Sequence, residues 1–216
     1  MVDVLRAGTT IATALANGAR AVLPVETQGD AGRLRAHLDD DVSVFAGERD
    51  GVILSGYACD ASPLSFSAQA VERKTVVLLT SNGTPAIVRS RGAERVVVAA
   101  LVNAHVVAER LRSALEDGGA TIVCAGHQGR IAVEDVLCAG LLVDRVVGGA
   151  STLGDGSRVA HGLYRGAQGD LARALMAADR THDLVRSGHA DDVAACARLD
   201  TLEVVPVYQD NRLVAG

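Results

Sequence analysis

Carboxylates, hydroxyls, a guanidinium and an imidazole gather in four short stretches of this 216-residue chain. The first is Asp3-Val4-Leu5-Arg6-Ala7-Gly8-Thr9-Thr10, the second Ala46-Gly47-Glu48-Arg49-Asp50-Gly51, and the third Thr80-Ser81-Asn82-Gly83-Thr84-Pro85. The fourth runs from Cys124-Ala125-Gly126-His127-Gln128-Gly129-Arg130 to Glu134-Asp135 and Cys138-Ala139-Gly140. Each follows a short apolar run, and in open α/β sheets ligands bind where strand ends feed helix starts.

The chemistry these residue types suit is anion and cation handling. A helix beginning near Thr9 offers unsatisfied N–H donors to an anion, and Arg6 adds a bidentate fork for phosphate, carboxylate or sulfonate. The alternative is a helix cap at Thr9 and a surface ion pair for Arg6. The third stretch repeats the arrangement: Asn82-Gly83 supplies a tight turn and Thr84 an N-cap, which is also how an ordinary turn and cap would read. Glu48 stands beside glycines that permit close backbone approach, whereas Arg49 and Asp50 read as a solvated charged turn. Glu134 and Asp135 enter the first turn of an otherwise apolar helix. They either complement its dipole or hold magnesium, which takes one or two carboxylates together with waters and phosphate oxygens. His127 has the ordinary pKa of a general acid toward a leaving alkoxide, or is an unremarkable loop histidine.

Positioning these groups requires strands and helices in alternation. Val-rich runs at 21–25, 42–46, 75–79, 95–98 and 121–124 predict strands, and Val2-Asp3-Val4-Leu5 reads as the tail of a first strand whose front is missing. Helical patterns cover 9–17, 30–38, 85–90, 103–116 and 133–146, with Gly18 and Gly118 at C-cap positions. Residues 148–157 read as a long surface loop, followed by helices at about 171–185 and 191–198. A terminal hairpin at 203–208 and 212–214 makes the sheet mixed. The β-then-α rhythm predicts a single α/β domain over residues 1–216, a three-layer α/β/α sandwich with a mainly parallel, mixed central sheet.

Composition narrows the classes. Apolar residues make up 49% of the chain, with two Phe, three Tyr and no Trp, so the core is aliphatic, as in a sheet buried on both faces. A net charge of -5 without a basic cluster, and few aromatic rings, argue against nucleic acid as a partner. No apolar run approaches the roughly 20 residues that span a bilayer, and the first residues lack a signal peptide's pattern, so a cytoplasmic protein without membrane partners is expected. The four cysteines lack zinc spacing and are expected to be reduced.

Taken in order, Asp3-Val4-Leu5-Arg6-Ala7, Leu15-Ala16-Asn17-Gly18-Ala19, Ala46-Gly47-Glu48, Ser62-Pro63, Asn82-Gly83-Thr84, Cys124-Ala125-Gly126 with Gly129, and Glu134-Asp135 with Cys138-Ala139-Gly140 resemble the 2-phosphosulfolactate phosphatases. The similarity runs from residue 2 to Val205-Pro206-Val207, and it is the series rather than any single motif that carries it. The resemblance implies a three-layer α/β/α fold and magnesium-dependent hydrolysis of 2-phospho-3-sulfolactate to sulfolactate and phosphate, a step toward coenzyme M. It also implies functional positions at Asp3, Arg6, Thr9, Thr10, Glu48, Asn82, Thr84, Glu134 and Asp135, and an assembly such as a homodimer, although the sequence permits a monomer.

The expected arrangement has Glu134, Asp135 and Asp3 or Glu48 holding Mg²⁺, with Asp3, Arg6 and Glu48 as the catalytic set. Thr9, Thr10, Asn82, Gly83, Thr84 and His127 would bind the small anionic phosphorylated substrate. The nucleophile is either activated water or a carboxylate such as Asp3. Three departures from the family pattern carry expectations of their own: the shortened first strand is consistent with a non-catalytic anionic-metabolite-binding protein, and the other two lie at Gly8 and Asp60-Ala61. Gly8 stands where Ala or Thr is usual, which would loosen the first loop. Asp60-Ala61 replaces Gly-Asn ahead of Ser62-Pro63, which would place a repelling carboxylate near any anion bound there and favour another phosphorylated 2-hydroxy acid or a sugar phosphate.

Overall fold

The structure, a computed structural model, describes residues 1–49, 51–116, 118–147, 152–167 and 170–216. Its helices are α1 (Ala7–Ala16), α2 (Gln28–Arg35), α3 (Ala68–Val71), α4 (Gly83–Arg89), α5 (Ala104–Glu116), α6 (Val133–Val146), α7 (Asp155–Ala167), α8 (Leu171–Met176), α9 (Asp179–Arg186) and α10 (Ala190–Cys196). Its strands are β1 (Ala21–Val25), β2 (Ser43–Arg49), β3 (Val52–Ile53), β4 (Thr75–Leu79), β5 (Val96–Val97), β6 (Pro206–Gln209) and β7 (Arg212–Ala215).

The strands form one mixed sheet in the order β3-β2-β4-β1-β7-β6-β5. Its centre is parallel, as predicted: β4 lies between β1 and β2, and Thr75 is in register with both Ala21 and Ser43. The remaining pairs are antiparallel. β4 shows why a continuous Val/Leu run belongs at such a centre. Val76 and Leu78 pack with Ile11 and Leu15 of α1 and Ile87 of α4, while Val77 and Leu79 pack with Ala31 of α2, Phe45 and Leu54. Alternate side chains thus enter two cores, and each fully buried Val or Leu contributes about 1.5–3 kcal/mol.

A third core lies around α6, whose Leu137, Cys138, Leu141 and Leu142 form one helical stripe packed with Val4, Leu101 and Val107. α6 meets α7 at Gly140, where any Cβ would collide with the Ala160 carbonyl, so only glycine allows the two helices this close. The terminal hairpin is as predicted, its turn closed by Asp210 and Asn211 at positive φ, the geometry of a two-residue hairpin loop. Gly18 ends α1 at φ 87°.

Several elements differ from expectation. Residues 121–124 form no extended strand. Val2 is bridged in parallel to Ala99 on one side and Cys124 on the other, with Val2 N–H donating to the Val123 carbonyl (2.8 Å) and Ala125 N–H to that of Val2 (2.9 Å). Each of these pairings is a single bridge. Of the predicted loop 148–157, residues 148–151 lie outside the described residues, and Asp155, Gly156 and Ser157 begin α7 instead. The predicted helix 171–185 is interrupted between α8 and α9, where Thr181 Oγ1 donates to the Leu175 carbonyl (2.7 Å). Asp50 of the charged turn is outside the described residues. Among the described residues no helix is long and apolar enough to cross a membrane.

Candidate active site

Asp3 sits where the wedged N-terminal segment turns into α1. The Leu5–Arg6 peptide in this turn is cis. Backbone N–H groups of Gly8 and Ala7 hydrogen-bond the Asp3 carboxylate, so the start of α1 receives a side chain of its own chain as its anion. Gly8 does not loosen this loop as expected. A Cβ there would collide with the Asp3 carbonyl and lie 3.0 Å from that of Ala99, so the missing side chain is what lets α1 close onto the segment. Gly83, the first residue of α4, packs against the same carboxylate: a Cβ would overlap Asp3 Oδ2 and come within 2.5 Å of the Ala7 Cβ. Gly83→Ala is therefore expected to cost about 1–3 kcal/mol, as overpacking does, and to lower turnover by moving Asp3. Urea unfolding checks the first, and an unchanged midpoint would mean that Asp3 gives way freely.

Glu48, Glu134 and Asp135 join Asp3, all four between 2% and 6% exposed. Asp135 is tied at both oxygens: Oδ1 accepts the Val4 N–H (2.8 Å) and Oδ2 the Gly126 N–H (2.9 Å), which fixes the wedged segment to the loop before His127. Glu48 is tied likewise, Oε2 accepting from Gly51 (2.6 Å) and Oε1 from Ser81 (2.9 Å). Asp3 and Glu134 keep their carboxylates on helix-start amides, Glu134 on its own.

Burial is the main cause of the electrostatics. It pushes the Asp3 carboxyl up to about 7, with the Glu134 charge adding to it, the Gly8 and Ala7 amides opposing it and Glu48 adding a little more. Burial and the neighbouring Asp3 raise Asp135 well above the carboxylate range, and burial raises Glu134 against the pull of its own amide and of Arg180. A buried carboxylate group of this kind calls for a cation. Among the described residues no three of these acids bring ligand atoms within 4.8 Å of one another. An ion held by these acids would therefore take most of its ligands from water and substrate oxygens.

Arg6 turns the other way. Its side chain is 1% exposed, and Nη1 lies 2.5 Å from Asp192 of α10 and 2.9 Å from Asp60, while Nη2 is buried without a hydrogen-bond partner. Asp192 also accepts from Ser62 Oγ (2.5 Å), and His189 Nε2 lies 3.5 Å from Asp60. Asp60, His189 and Asp192 gather ligand atoms closely enough for a metal, but the Arg6 guanidinium already supplies the positive charge there. The carboxylate expected to repel an anion is thus paired with arginine, and Ala61 is buried with its carbonyl taking the Thr10 hydroxyl (2.6 Å).

The predicted substrate hydroxyls also point into the protein. Thr9 Oγ1 donates to the Val4 carbonyl (2.9 Å). Thr84 is not the N-cap of α4, a place Asn82 takes; its hydroxyl donates to the Val25 carbonyl (2.7 Å) and accepts the Thr80 N–H (3.1 Å). Asn82 Oδ1 accepts the Gln128 N–H (3.0 Å), joining the start of α4 to a tight turn in which His127 and Arg130 exchange backbone hydrogen bonds. Gln128 (φ 51°) and Gly129 (φ 73°) close that turn.

A cleft of about 730 Å³ opens beside it, lined by residues of 127–134 and of α9, with His127, Arg130, Glu134 and Arg180 among them. Asp3, Glu48, Glu134 and Asp135 are thus brought into one buried group, and of the four it is Glu134 that lines the cleft, together with His127. Arg6, Thr9, Thr10 and Thr84 hold the surrounding loops. Sequence reasoning missed Asp192, His189 and Arg180. Asp191-Asp192 reads as a helix start, and nothing local distinguishes the acid that turns inward.

A family model described as 2-phosphosulpholactate phosphatase matches residues 1–211. A protein of Symbiobacterium thermophilum named "Probable 2-phosphosulfolactate phosphatase" is 38% identical over 216 residues, 99% of this chain and 92% of its own length. Proteins of the same name from Pseudothermotoga lettingae (36% over 215 residues, 99% and 90%) and Deinococcus radiodurans (38% over 208 residues, 95% and 85%) are similar along nearly the same span.

Proposed function

This chain belongs to the 2-phosphosulfolactate phosphatase family, phosphoric monoester hydrolases by name, and from that premise we propose that it is a magnesium-dependent phosphatase releasing phosphate from 2-phospho-3-sulfolactate. The observation that supports the metal dependence is the buried group of four acids, Asp3 before α1, Glu48 on β2 and Glu134 and Asp135 in the first turn of α6, with Glu134 lining an open cleft. Asp3 and Glu134 would hold the ion, since Glu48 and Asp135 have both oxygens engaged by backbone N–H groups. Magnesium, when bound, neutralises charge on the phosphoryl oxygens and lowers the pKa of water.

The residues do the rest. Glu48 and Asp135 fix the loops on either side, and the exact packing of Gly83 on Asp3 holds that carboxylate between two helix starts. Two parts are open to Asp3: ligand of the ion, with water as the nucleophile, or nucleophile itself, as a carboxylate forming an aspartyl-phosphate. His127, lining the cleft, protonates the leaving alkoxide.

The test is phosphate release, with and without Mg²⁺, from a panel containing 2-phosphosulfolactate, a phosphorylated 2-hydroxy acid without sulfonate, and a sugar phosphate. The expected result is Mg²⁺-dependent turnover that is fastest on 2-phosphosulfolactate. Turnover undiminished by chelation removes the metal from the reading, and turnover fastest on another panel member replaces the substrate.

A further inference from the structure

Three arginines line the cleft: Arg130 on the tight turn, and Arg180 and Arg186 on α9. Arg186 is paired with Asp183 at 2.5 Å. Neither the Arg180 nor the Arg130 guanidinium makes an ion pair or a hydrogen bond among the described residues. Arg180 is half-buried, so part of its hydration is already lost, and Arg130 is carried on a turn that Asn82 fixes in place. Two cations beside the Glu134 carboxylate, neither closed into an ion pair, are a receptor for anionic oxygens, and the planar fork of arginine suits carboxylate and sulfonate alike.

We propose that Arg180, assisted by Arg130, binds the anionic group of the substrate that does not react, its sulfonate or carboxylate, and so restricts the enzyme to phosphoesters bearing a second anion. The proposal rests on the phosphatase reading for the identity of the substrate. The phosphoryl group lies with the acids and their cation, and the far end of the molecule lies against α9. Arg180 also lowers the cost of ionising Glu134, so its two effects have to be separated.

The experiment compares wild-type protein with Arg180→Ala and Arg180→Gln, the glutamine variant keeping more of the side chain's packing. Two substrates are used: 2-phosphosulfolactate, and phenyl phosphate, which has no second anion. Binding of 3-sulfolactate and of inorganic phosphate is measured by calorimetry in the same buffer. Each variant is expected to lose roughly 10- to 100-fold in kcat/KM for 2-phosphosulfolactate, the effect of one charge-assisted hydrogen-bonded contact, and several-fold less for phenyl phosphate, whose loss reports only the effect through Glu134. Affinity for 3-sulfolactate should fall by a similar factor, and that for phosphate should not. Equal losses on both substrates overturn the proposal and assign Arg180 to the reacting phosphate or to Glu134. If no phosphoester is turned over by the wild type, the phosphatase reading fails, while a selective loss of 3-sulfolactate binding in the variants still upholds the anion subsite.

Discussion

Glu134→Gln is expected to lower kcat for Mg²⁺-dependent phosphate release by about 10³-fold or more, a loss of the size seen when one charge-stabilising group is removed from an active site. The metal-free protein should melt at the same temperature or higher. The reason is local: Glu134 is buried, its own amide is its nearest support, and its charge works against Asp3. A neutral isostere keeps the shape of the cleft and removes that repulsion. Asp135→Asn provides the contrast. Its Oδ1 and Oδ2 accept N–H groups from Val4 and Gly126, and an amide nitrogen cannot accept either. A donor then faces a donor, at a cost of about 1–3 kcal/mol in stability besides any loss of turnover. Steady-state assays with calorimetric melts distinguish the two. A Glu134→Gln enzyme with more than a tenth of wild-type activity would exclude Glu134 from the chemistry.

Without metal, the protein should become less stable as pH rises from 5 to 8. The Asp3 carboxyl titrates at about 7 in the folded chain and at roughly 4 unfolded, so between those values the folded state binds the extra proton. That contribution is complete below the unfolded pKa and is lost as pH rises through the folded one. Asp135 is raised for the same cause and slopes the same way. Asp144 and Asp200, held low by His161 and Arg145, titrate below this window and leave its slope unchanged. The expected loss is on the order of a few kcal/mol, roughly 5–15 °C in Tm for a chain of this size. Asp3→Asn should flatten the profile, and the difference between the two proteins at each pH cancels the groups that do not interact with Asp3, leaving Asp3 together with its effect on Asp135 and Glu134. Saturating Mg²⁺ should flatten it too, because the ion takes the place of the proton. A metal-free Tm that climbs across this range would contradict the environment described for Asp3.

How much of this was legible in the sequence depends on how far apart the partners lie along the chain. The strands at 21–25 and 75–79 and the helix at 133–146 are signalled by their own side chains, and all three are found at those bounds. Residues 121–124 have a strand's composition, but of them only Cys124 is bridged, to Val2, and the number of residues that pair across a ladder is not written in the segment itself. α7 was hidden because Asp155-Gly156-Ser157 has the composition of a turn, although Ala160 and Tyr164 recur at helical spacing and are buried. In the site, acids at strand-to-helix junctions were visible as a pattern. The direction in which each side chain turns was not. Thr9 and Thr84 look like anion ligands locally, yet each has a carbonyl within reach that no nearby sequence reveals.

The pairing of Arg6 with Asp192 also sets a schedule for the making of the protein. The two residues are 186 positions apart, and at common rates of synthesis, 5–20 residues per second, roughly 10–40 s separate their appearance. During that interval the guanidinium at the head of α1 has only Asp60 to neutralise it, and the cleft still lacks the wall that α9 supplies. Asp3 and Arg6 thus belong to a site completed by residues made much later, so a growing chain carries these acids and this arginine without the enclosure that turns them into an enzyme.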